Sequence, residues 1–176
     1  MKLFYPGGFG RLSNGTIIPL DIVTEGAACT TLMALPYINN SKPLVIANCD
    51  QYLEWDFDDY LEHSKDRDGS LVVFNSTNPH HSYAKVKKGQ VVEVAEKKVI
   101  SDNATVGLYY WRNGFEYVKY AEQMIEKNIR TNNEFYTCPT FNEAIGDGKK
   151  IKTFNIDKMW GLGTPEDLNY YLENKK

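Results

Sequence analysis

Two apolar runs of strand length place the strongest constraint on the fold. They are PLVIANC at residues 43–49 and SLVVFNS at residues 70–76. An uninterrupted apolar run of this length is typical of a strand covered on both faces, as in a parallel sheet. Between the two runs, residues 55–67 have the apolar spacing of a helix and an acidic first turn. The order strand, helix, strand predicts an α/β sheet in which PLVIANC is a central strand.

The second half of the chain predicts antiparallel strands, so we expect a mixed sheet. Two strands joined by a Gly turn form a predicted hairpin over residues 83–98. The segments ATVGLYYW at residues 104–111 and KIKTFNI at residues 150–156 add two further strands.

Helices are predicted between and after these strands. One opens at Thr24 or Glu25 and ends near Pro36, and a short one covers residues 140–146. A last helix follows Thr164, a good N-cap residue, with Pro165 at its first position. The helix that begins near residue 114 has this apolar side: Phe115, Val118, Ala121, Met124 and Ile125.

Composition excludes several classes of protein. The chain has 176 residues, 42% of them hydrophobic, which suits one globular domain. A net charge of −3 argues against a general nucleic-acid binder, and no apolar run is long enough for a membrane span. The first ten residues lack the apolar core of a signal peptide, so we expect a cytoplasmic protein. Its three cysteines have no metal-type spacing and are expected to be reduced.

An acid follows the first apolar run directly. The strand is succeeded by Asn48, Cys49 and Asp50. Ligands in open α/β sheets bind beyond the carboxyl ends of the strands, and Mg²⁺ binds to one or two carboxylates plus waters and phosphates. Asp50 is therefore a candidate metal ligand. The alternative is that Asp50 caps the following turn or helix, and composition alone favours that alternative.

Three other segments contain candidate site residues, each with a structural alternative. TEGAACT at residues 24–30 puts small residues at a helix start, a position that suits either the binding of a phosphate or close packing of the helix. Glu96 and Lys97 end a strand, where Lys97 could neutralise a phosphate and Glu96 could accept hydrogen bonds from hydroxyls. The alternative is that they form a solvated charge run with Lys98. His80 and His81 are expected on an exposed loop, with sugar contact as the second choice.

Taken together, six segments in order resemble the sugar-phosphate nucleotidyltransferase family. The match runs from about residue 16 to the end of the chain, and its segments are TEGAACT, LVIANCDQ, VVEVAEKK, ATVGLYYW, NEFYTCPTFN and WGLGTPEDL. The resemblance implies a Rossmann-like three-layer α/β fold, a mixed sheet with helices on both faces. It also implies transfer of a nucleoside monophosphate from a nucleoside triphosphate to a sugar 1-phosphate, with Mg²⁺ as cofactor and release of pyrophosphate.

The resemblance also implies roles for individual residues. Asp50 would bind Mg²⁺ and act in catalysis, and Lys97 would supply positive charge to the phosphates. Glu96 would contact the sugar phosphate, while Gly107 and Asn48 would line the sugar pocket. The nucleobase would lie against this loop: Glu25, Gly26, Ala27 and Ala28.

The chain departs from the family pattern in two places. Only the start of the family's Gly-rich triphosphate loop is recognisable, in Gly7, Gly8, Gly10 and Arg11; its Lys and several tens of residues after it are missing. We therefore expect a single shortened domain over residues 1–176, with exposed sheet edges and a tendency to form a homodimer. Many family members have a second metal-binding acid where this chain has Gly161, and Asp157 is the substitute expected from the sequence.

Three functions follow from the sequence. The first is a nucleotidyltransferase that makes nucleotide-sugars for surface polysaccharides. The second is a catalytically degenerate module that binds a nucleotide or sugar phosphate, suggested by the incomplete N-terminal loop. The third is a glycosyltransferase of similar architecture, ranked lower because NCD supplies one acid where an acid-x-acid motif is expected.

Overall fold

The computed structural model describes residues 15–175 of the chain, in which six helices alternate with eight strands. The helices are α1 (Ala27–Leu32), α2 (Leu35–Ile38), α3 (Phe57–Ser64), α4 (Gly114–Glu126), α5 (Thr140–Gly146) and α6 (Pro165–Asn174). The strands are β1 (Leu44–Ala47), β2 (Gln51–Leu53), β3 (Gly69–Asn75), β4 (Ser82–Lys87), β5 (Gln90–Glu96), β6 (Asn103–Trp111), β7 (Ile151–Asn155) and β8 (Met159–Gly161).

The main sheet is mixed, as the sequence predicts. Its strand order is β5-β4-β6-β3-β7, with β1 also paired to β6. The β3–β7 pair is parallel and all other pairs are antiparallel. A separate two-stranded sheet joins β2 to β8. Both of its strands are three residues long and were not predicted, since runs so short have no alternation to detect.

The prediction that PLVIANC is a central parallel strand is wrong in its pairing. Within the described residues β1 pairs with β6 alone, and the pair is antiparallel. The apolar pattern nevertheless has the predicted cause, because both faces of β1 are covered. Leu44 and Ile46 pack against one core cluster and Val45 against the other.

Strand β6 has a bulge that divides one of its edges between two partners. Leu71 of β3 lies opposite Tyr109, yet Val73 lies opposite Thr105, so residues 106–108 face a single β3 residue. On the other edge of β6, β4 pairs at Ala104, before the bulge, and β1 pairs from Leu108, the last bulge residue, onwards. Bulges bend a strand and are common beside active sites. Here the bulge opens a gap between β1 and β4.

Helices cover both faces of the sheet, which confirms the predicted three layers. On one face α4 and α5 bury a core in which the Trp111 and Phe141 rings stack with centroids 4.3 Å apart. On the other face α3 packs Tyr60 against Val72 and Tyr110. Asp56 caps α3 by accepting hydrogen bonds from the backbone N–H groups of its first turn.

Two helix predictions need correction. The predicted helix up to Pro36 is two short helices, because Pro36 occupies the first turn of α2, where its missing N–H is tolerated. The buried side of α4 follows Tyr117, Tyr120, Ala121 and Met124, and Phe115 lies 44% exposed beyond the edge of that stripe. No helix within residues 15–175 is both long and apolar enough to cross a membrane.

Candidate active site

A cleft of about 470 Å³ lies in the gap between β1 and β4, on the bulged part of β6. The strand ends, residues 136–138 and the β8–α6 turn form its walls. Six of the residues singled out in the sequence line it: Ala27, Asn48, Asp50, Glu96, Lys97 and Gly107. They come from four separate segments of the chain, so the fold brings them together.

Asp50 and Asp167 form an acidic end of the cleft. The pairing of β2 with β8 sets Gln51 opposite Gly161, and the N–H of Leu162 donates to the carbonyl of Asp50 over 2.8 Å. A Cβ atom on Gly161 would lie 3.4 Å from Cγ of Asp167. A Cβ atom on Gly163 would lie 2.9 Å from Oδ2 of Asp50. The two glycines thus leave room in front of both carboxylates.

The carboxylate of Asp50 makes no hydrogen bond or ion pair within the described part of the chain. The alternative that Asp50 caps the next helix is wrong, because Asp56 caps α3. One oxygen of Asp167 accepts a hydrogen bond from Oγ1 of Thr164 over 2.8 Å. Asp50 and Asp167 therefore keep carboxylate oxygens that accept no hydrogen bond from the described residues.

Glu96 and Lys97 lie at the opposite wall, where β5 ends. Glu96 accepts a hydrogen bond from the hydroxyl of Ser82, and burial raises the pKa of its carboxyl group. Nζ of Lys97 donates to the hydroxyl of Tyr136 over 2.6 Å, and that bond raises the pKa of Lys97. Lys98 lies exposed outside the cleft. Two members of the charged tripeptide thus face the cleft and the third does not.

Gly107 lies at the centre of the bulge with a φ angle of 71°. Its carbonyl accepts a hydrogen bond from the N–H of Asn48 over 2.9 Å, and a Cβ atom here would overlap the amide of Asn48. Glycine is therefore required both by the backbone angle and by the close approach of Asn48. This contact holds the end of β1 against the floor of the cleft.

The loop before α1, the predicted nucleobase site, packs closely against Phe135. Ala28 is fully buried against Met124 and Phe135, and its N–H donates to the carbonyl of Phe135 over 2.9 Å. Gly26 has a φ angle of 128°, and a Cβ atom on it would collide with the backbone of Phe135. Because Phe135 leaves no space for a larger side chain at Gly26 and buries Ala28, close packing explains the small residues at both positions.

Within the same loop, Glu25 and Ala27 differ in what they face. The carboxylate of Glu25 pairs with Nη2 of Arg130 at 2.5 Å, and Glu25 does not line the cleft. Ala27 does line it. The predicted nucleotide residues Gly8, Gly10 and Arg11 lie outside the described residues.

Asp157, the predicted second metal ligand, is exposed and does not line the cleft. The acid that the fold places at the glycine turn is Asp167, which the sequence reasoning missed. Asp167 belongs to the first turn of α6, three residues beyond the Thr164 cap. Asp167 lies far from Asp50 along the chain, so the sequence did not show that the two acids lie at the same cleft. The available signal was the acidic helix start PED within GTPEDL.

His80 and His81 also line the cleft. The ring of His81 contacts Phe74 edge-on at 5.2 Å, and burial lowers the pKa of its imidazole. His81 therefore tends towards the neutral form. Among the described residues, the Asp, Glu, Lys and Arg side chains that line the cleft are Asp50, Glu96, Asp167 and Lys97.

This donor set suits Mg²⁺ bound together with phosphate. Within residues 15–175 no three or more His, Cys, Asp or Glu side chains lie close enough to form a metal site by themselves. Mg²⁺ is usually held by one or two carboxylates, with waters and substrate phosphates completing its octahedron. Asp50 and Asp167 supply two such carboxylates, and the space beside Gly161 and Gly163 gives access to them.

The fold is that of the sugar-phosphate nucleotidyltransferases, as the resemblance implied. The nucleoside-diphosphate-sugar pyrophosphorylase from Vibrio cholerae RC9 is 25% identical and has a TM-score of 0.77; the match covers 88% of this chain and 68% of that one. The UDP-glucose pyrophosphorylase complexed with UDP-glucose is 15% identical, with a TM-score of 0.65 and coverages of 85% and 63%.

A third solved structure, the inositol-1-phosphate CTP transferase from T. maritima, is 15% identical, with a TM-score of 0.58 and coverages of 84% and 60%. The chain thus spans roughly three fifths to two thirds of the length of these structures. No protein-family model and no curated sequence matches the chain.

Proposed function

We propose that this protein transfers a nucleoside monophosphate from a nucleoside triphosphate to a sugar 1-phosphate or a similar phosphate. One observation carries the proposal. On a nucleotidyltransferase fold, a single cleft brings together the carboxylate of Asp50, which has no partner among residues 15–175, the ammonium of Lys97 and the half-buried carboxylate of Glu96. The product would be a nucleoside-diphosphate sugar, and we further propose that it serves surface-polysaccharide synthesis.

The proposed reaction is an in-line displacement. An oxygen of the acceptor phosphate forms a bond to the α-phosphorus, and the bond from that phosphorus to the α–β bridging oxygen breaks. Pyrophosphate leaves with the bonding electron pair. Such a reaction depends on positioning and charge neutralisation and requires no nucleophilic side chain. The cleft fits this requirement, because the ammonium of Lys97 lines one wall and the carboxylates of Asp50 and Asp167 line the other.

Each residue of the cleft has a distinct task in this scheme. Lys97 binds the acceptor phosphate, and Glu96 accepts hydrogen bonds from sugar hydroxyls. Asp50 and Asp167 would hold Mg²⁺, which when bound neutralises charge on the transferring phosphate. Asn48, held against Gly107, offers its amide to the acceptor.

The test is a pyrophosphate-release assay with each common nucleoside triphosphate against a panel of sugar 1-phosphates. We expect turnover with at least one pair. Lys97→Ala should abolish most of it, whereas the matched control Lys98→Ala should keep it, because Lys98 lies outside the cleft. Absence of turnover with every pair, in protein shown by circular dichroism to be folded, would overturn the catalytic proposal.

A second candidate function is a binding module without turnover. One observation favours it: Lys97 is the only Lys or Arg among the described residues that line the cleft, although a triphosphate has several negative charges. Calorimetry distinguishes the two functions. Binding of a nucleotide or a sugar phosphate without pyrophosphate release would support the module and contradict the enzyme.

We also propose that the protein forms a homodimer. The described residues 16–23 expose several large apolar side chains, and β1 pairs on one side only within the described part. Exposed apolar surface and a free strand edge both favour association with a second copy.

A further inference from the structure

Residues 134–138 lie in space between the loop before α1 and the end of β5, and they make hydrogen bonds to both. The backbone of Phe135 is fixed from one side, because its N–H donates to Glu25 over 2.8 Å and its carbonyl accepts from Ala28 over 2.9 Å. Its ring is buried against Ala28 and Met124. A pair of backbone hydrogen bonds between Thr131 and Glu134 fixes the segment just before it. The next residue, Tyr136, therefore enters the cleft from a rigid support.

Tyr136 links two charged residues through its hydroxyl group. That hydroxyl accepts a hydrogen bond from Nζ of Lys97 over 2.6 Å and donates one to the carboxylate of Glu134. Nζ of Lys97 also lies 4.7 Å from the centroid of the Tyr136 ring. A free lysine side chain samples many rotamers, and ordering it costs conformational entropy. The two contacts order Lys97 before any ligand arrives.

We propose that Tyr136, itself held by Glu134, is a positioning residue that aims the Lys97 ammonium at the acceptor phosphate. The proposal rests on the role given to Lys97 under the proposed function. An ammonium has three donors, and Tyr136 occupies one of them, so two remain for phosphate oxygens. The backbone supports the same orientation, because the N–H of Lys97 donates to the carbonyl of His81 over 3.1 Å.

The arrangement also fixes which groups hold protons. The hydrogen bond to Glu134 raises the pKa of Tyr136, so the phenol stays protonated. The hydrogen bond to Tyr136 is the main cause that raises the pKa of Lys97, and the charges of Glu96 and Glu134 add to it. Loss of the Tyr136 hydroxyl should therefore lower the pKa of Lys97.

The test uses Tyr136→Phe in the full chain, which keeps the ring and removes the hydroxyl. We expect KM for the acceptor phosphate to rise about tenfold, in line with the loss of a charge-assisted hydrogen bond that orders the lysine. KM for the nucleoside triphosphate should change little. The alkaline limb of the acceptor KM profile should move to lower pH. Tyr37→Phe is the matched control, since Tyr37 is 60% exposed and lies outside the cleft.

A second readout is independent of turnover. Reductive methylation with ¹³C-formaldehyde labels the lysines for NMR titration, and Lys97→Arg identifies the Lys97 signal. We expect its pKa to fall in Tyr136→Phe and, less strongly, in Glu134→Gln. Unchanged acceptor KM and unchanged Lys97 pKa in both variants would overturn the positioning role, even if the wild-type protein turns over. Failure of the proposed function would instead remove wild-type turnover and leave the Lys97 pKa shift in place.

Discussion

Asp167 reaches the cleft because two neighbouring positions lack side chains. Gly161 and Gly163 leave space in front of Asp167 and Asp50, and Thr164 orients Asp167 with a hydrogen bond of 2.8 Å. Where the resembled family has an acid, this chain has Gly161, and the carboxylate of Asp167 from the next helix lies beside that glycine. Its use as a metal ligand is a prediction.

We predict that Asp167→Asn weakens binding of Mn²⁺, used as a paramagnetic stand-in for Mg²⁺, by at least about tenfold. Loss of even an outer-shell partner of a metal ligand costs 10- to 100-fold in affinity, and loss of a direct ligand should cost no less. Electron paramagnetic resonance titration measures free Mn²⁺ directly. Asp157→Asn is the control, because Asp157 is exposed outside the cleft. Equal Mn²⁺ affinity in both variants would contradict the assignment.

Glu96 should give the proposed acceptor site a pH dependence. Burial raises the pKa of Glu96, while the Ser82 hydrogen bond and the nearby Lys97 lower it and Glu134 raises it. The ionised form accepts hydroxyl hydrogen bonds, so acceptor affinity should fall as the pH drops through this raised pKa. Ser82→Ala should move that acidic limb to higher pH, measured as acceptor KM against pH. Ser41→Ala, on the exposed surface, should leave the limb unchanged.

At the scale of elements, helix α5 closes the open edge of β5. The side chain of Asn142 accepts a hydrogen bond from the N–H of Val94 and donates one to its carbonyl, both over 2.8 Å. These two bonds reproduce what a neighbouring strand would supply. An edge strand with unpaired groups invites pairing with other chains, and Asn142 removes one such position.

We predict that Asn142→Ala lowers the free energy of unfolding by about 1–3 kcal/mol, the usual cost of leaving a part-buried polar group unsatisfied. Urea unfolding monitored by circular dichroism measures it. Asn155→Ala is the control, since Asn155 is exposed at the end of β7. A loss no larger than in the control would show that solvent replaces the Asn142 bonds without cost.

Local sequence patterns predicted most elements but few of their long-range pairings. The hairpin, β6, α3 and α6 were found because turns, caps and periodicity are written in adjacent residues. The partner of β1 was not, since an apolar run does not specify which strand lies beside it. Asp167 was missed for the same reason: it joins Asp50 through the β2–β8 pair, whose strands lie more than a hundred residues apart. The burial of Ala28 could not be predicted, because a small residue suits ligand contact and close packing equally.

At the scale of the whole molecule, the exposed apolar residues predict self-association. Val23 is fully exposed and Ile22 is 67% exposed. We expect light scattering at micromolar concentration to give a dimer mass for the full chain. Replacing Ile22 and Val23 with Ser should shift the mass towards the monomer. A monodisperse monomer in the unmodified protein would contradict the homodimer.

The bulge in β6 has a consequence for how the cleft could change. Because β4 and β1 meet β6 on either side of Gly107, the registers of these two ladders are set independently. Substitutions that shift or widen the β4–β5 hairpin would alter the wall that contains Glu96 and Lys97 and leave Asp50, which follows β1, in place. If the proposed function holds, the same scaffold could thus be retuned to a new acceptor without moving the carboxylate assigned to the transferring phosphate.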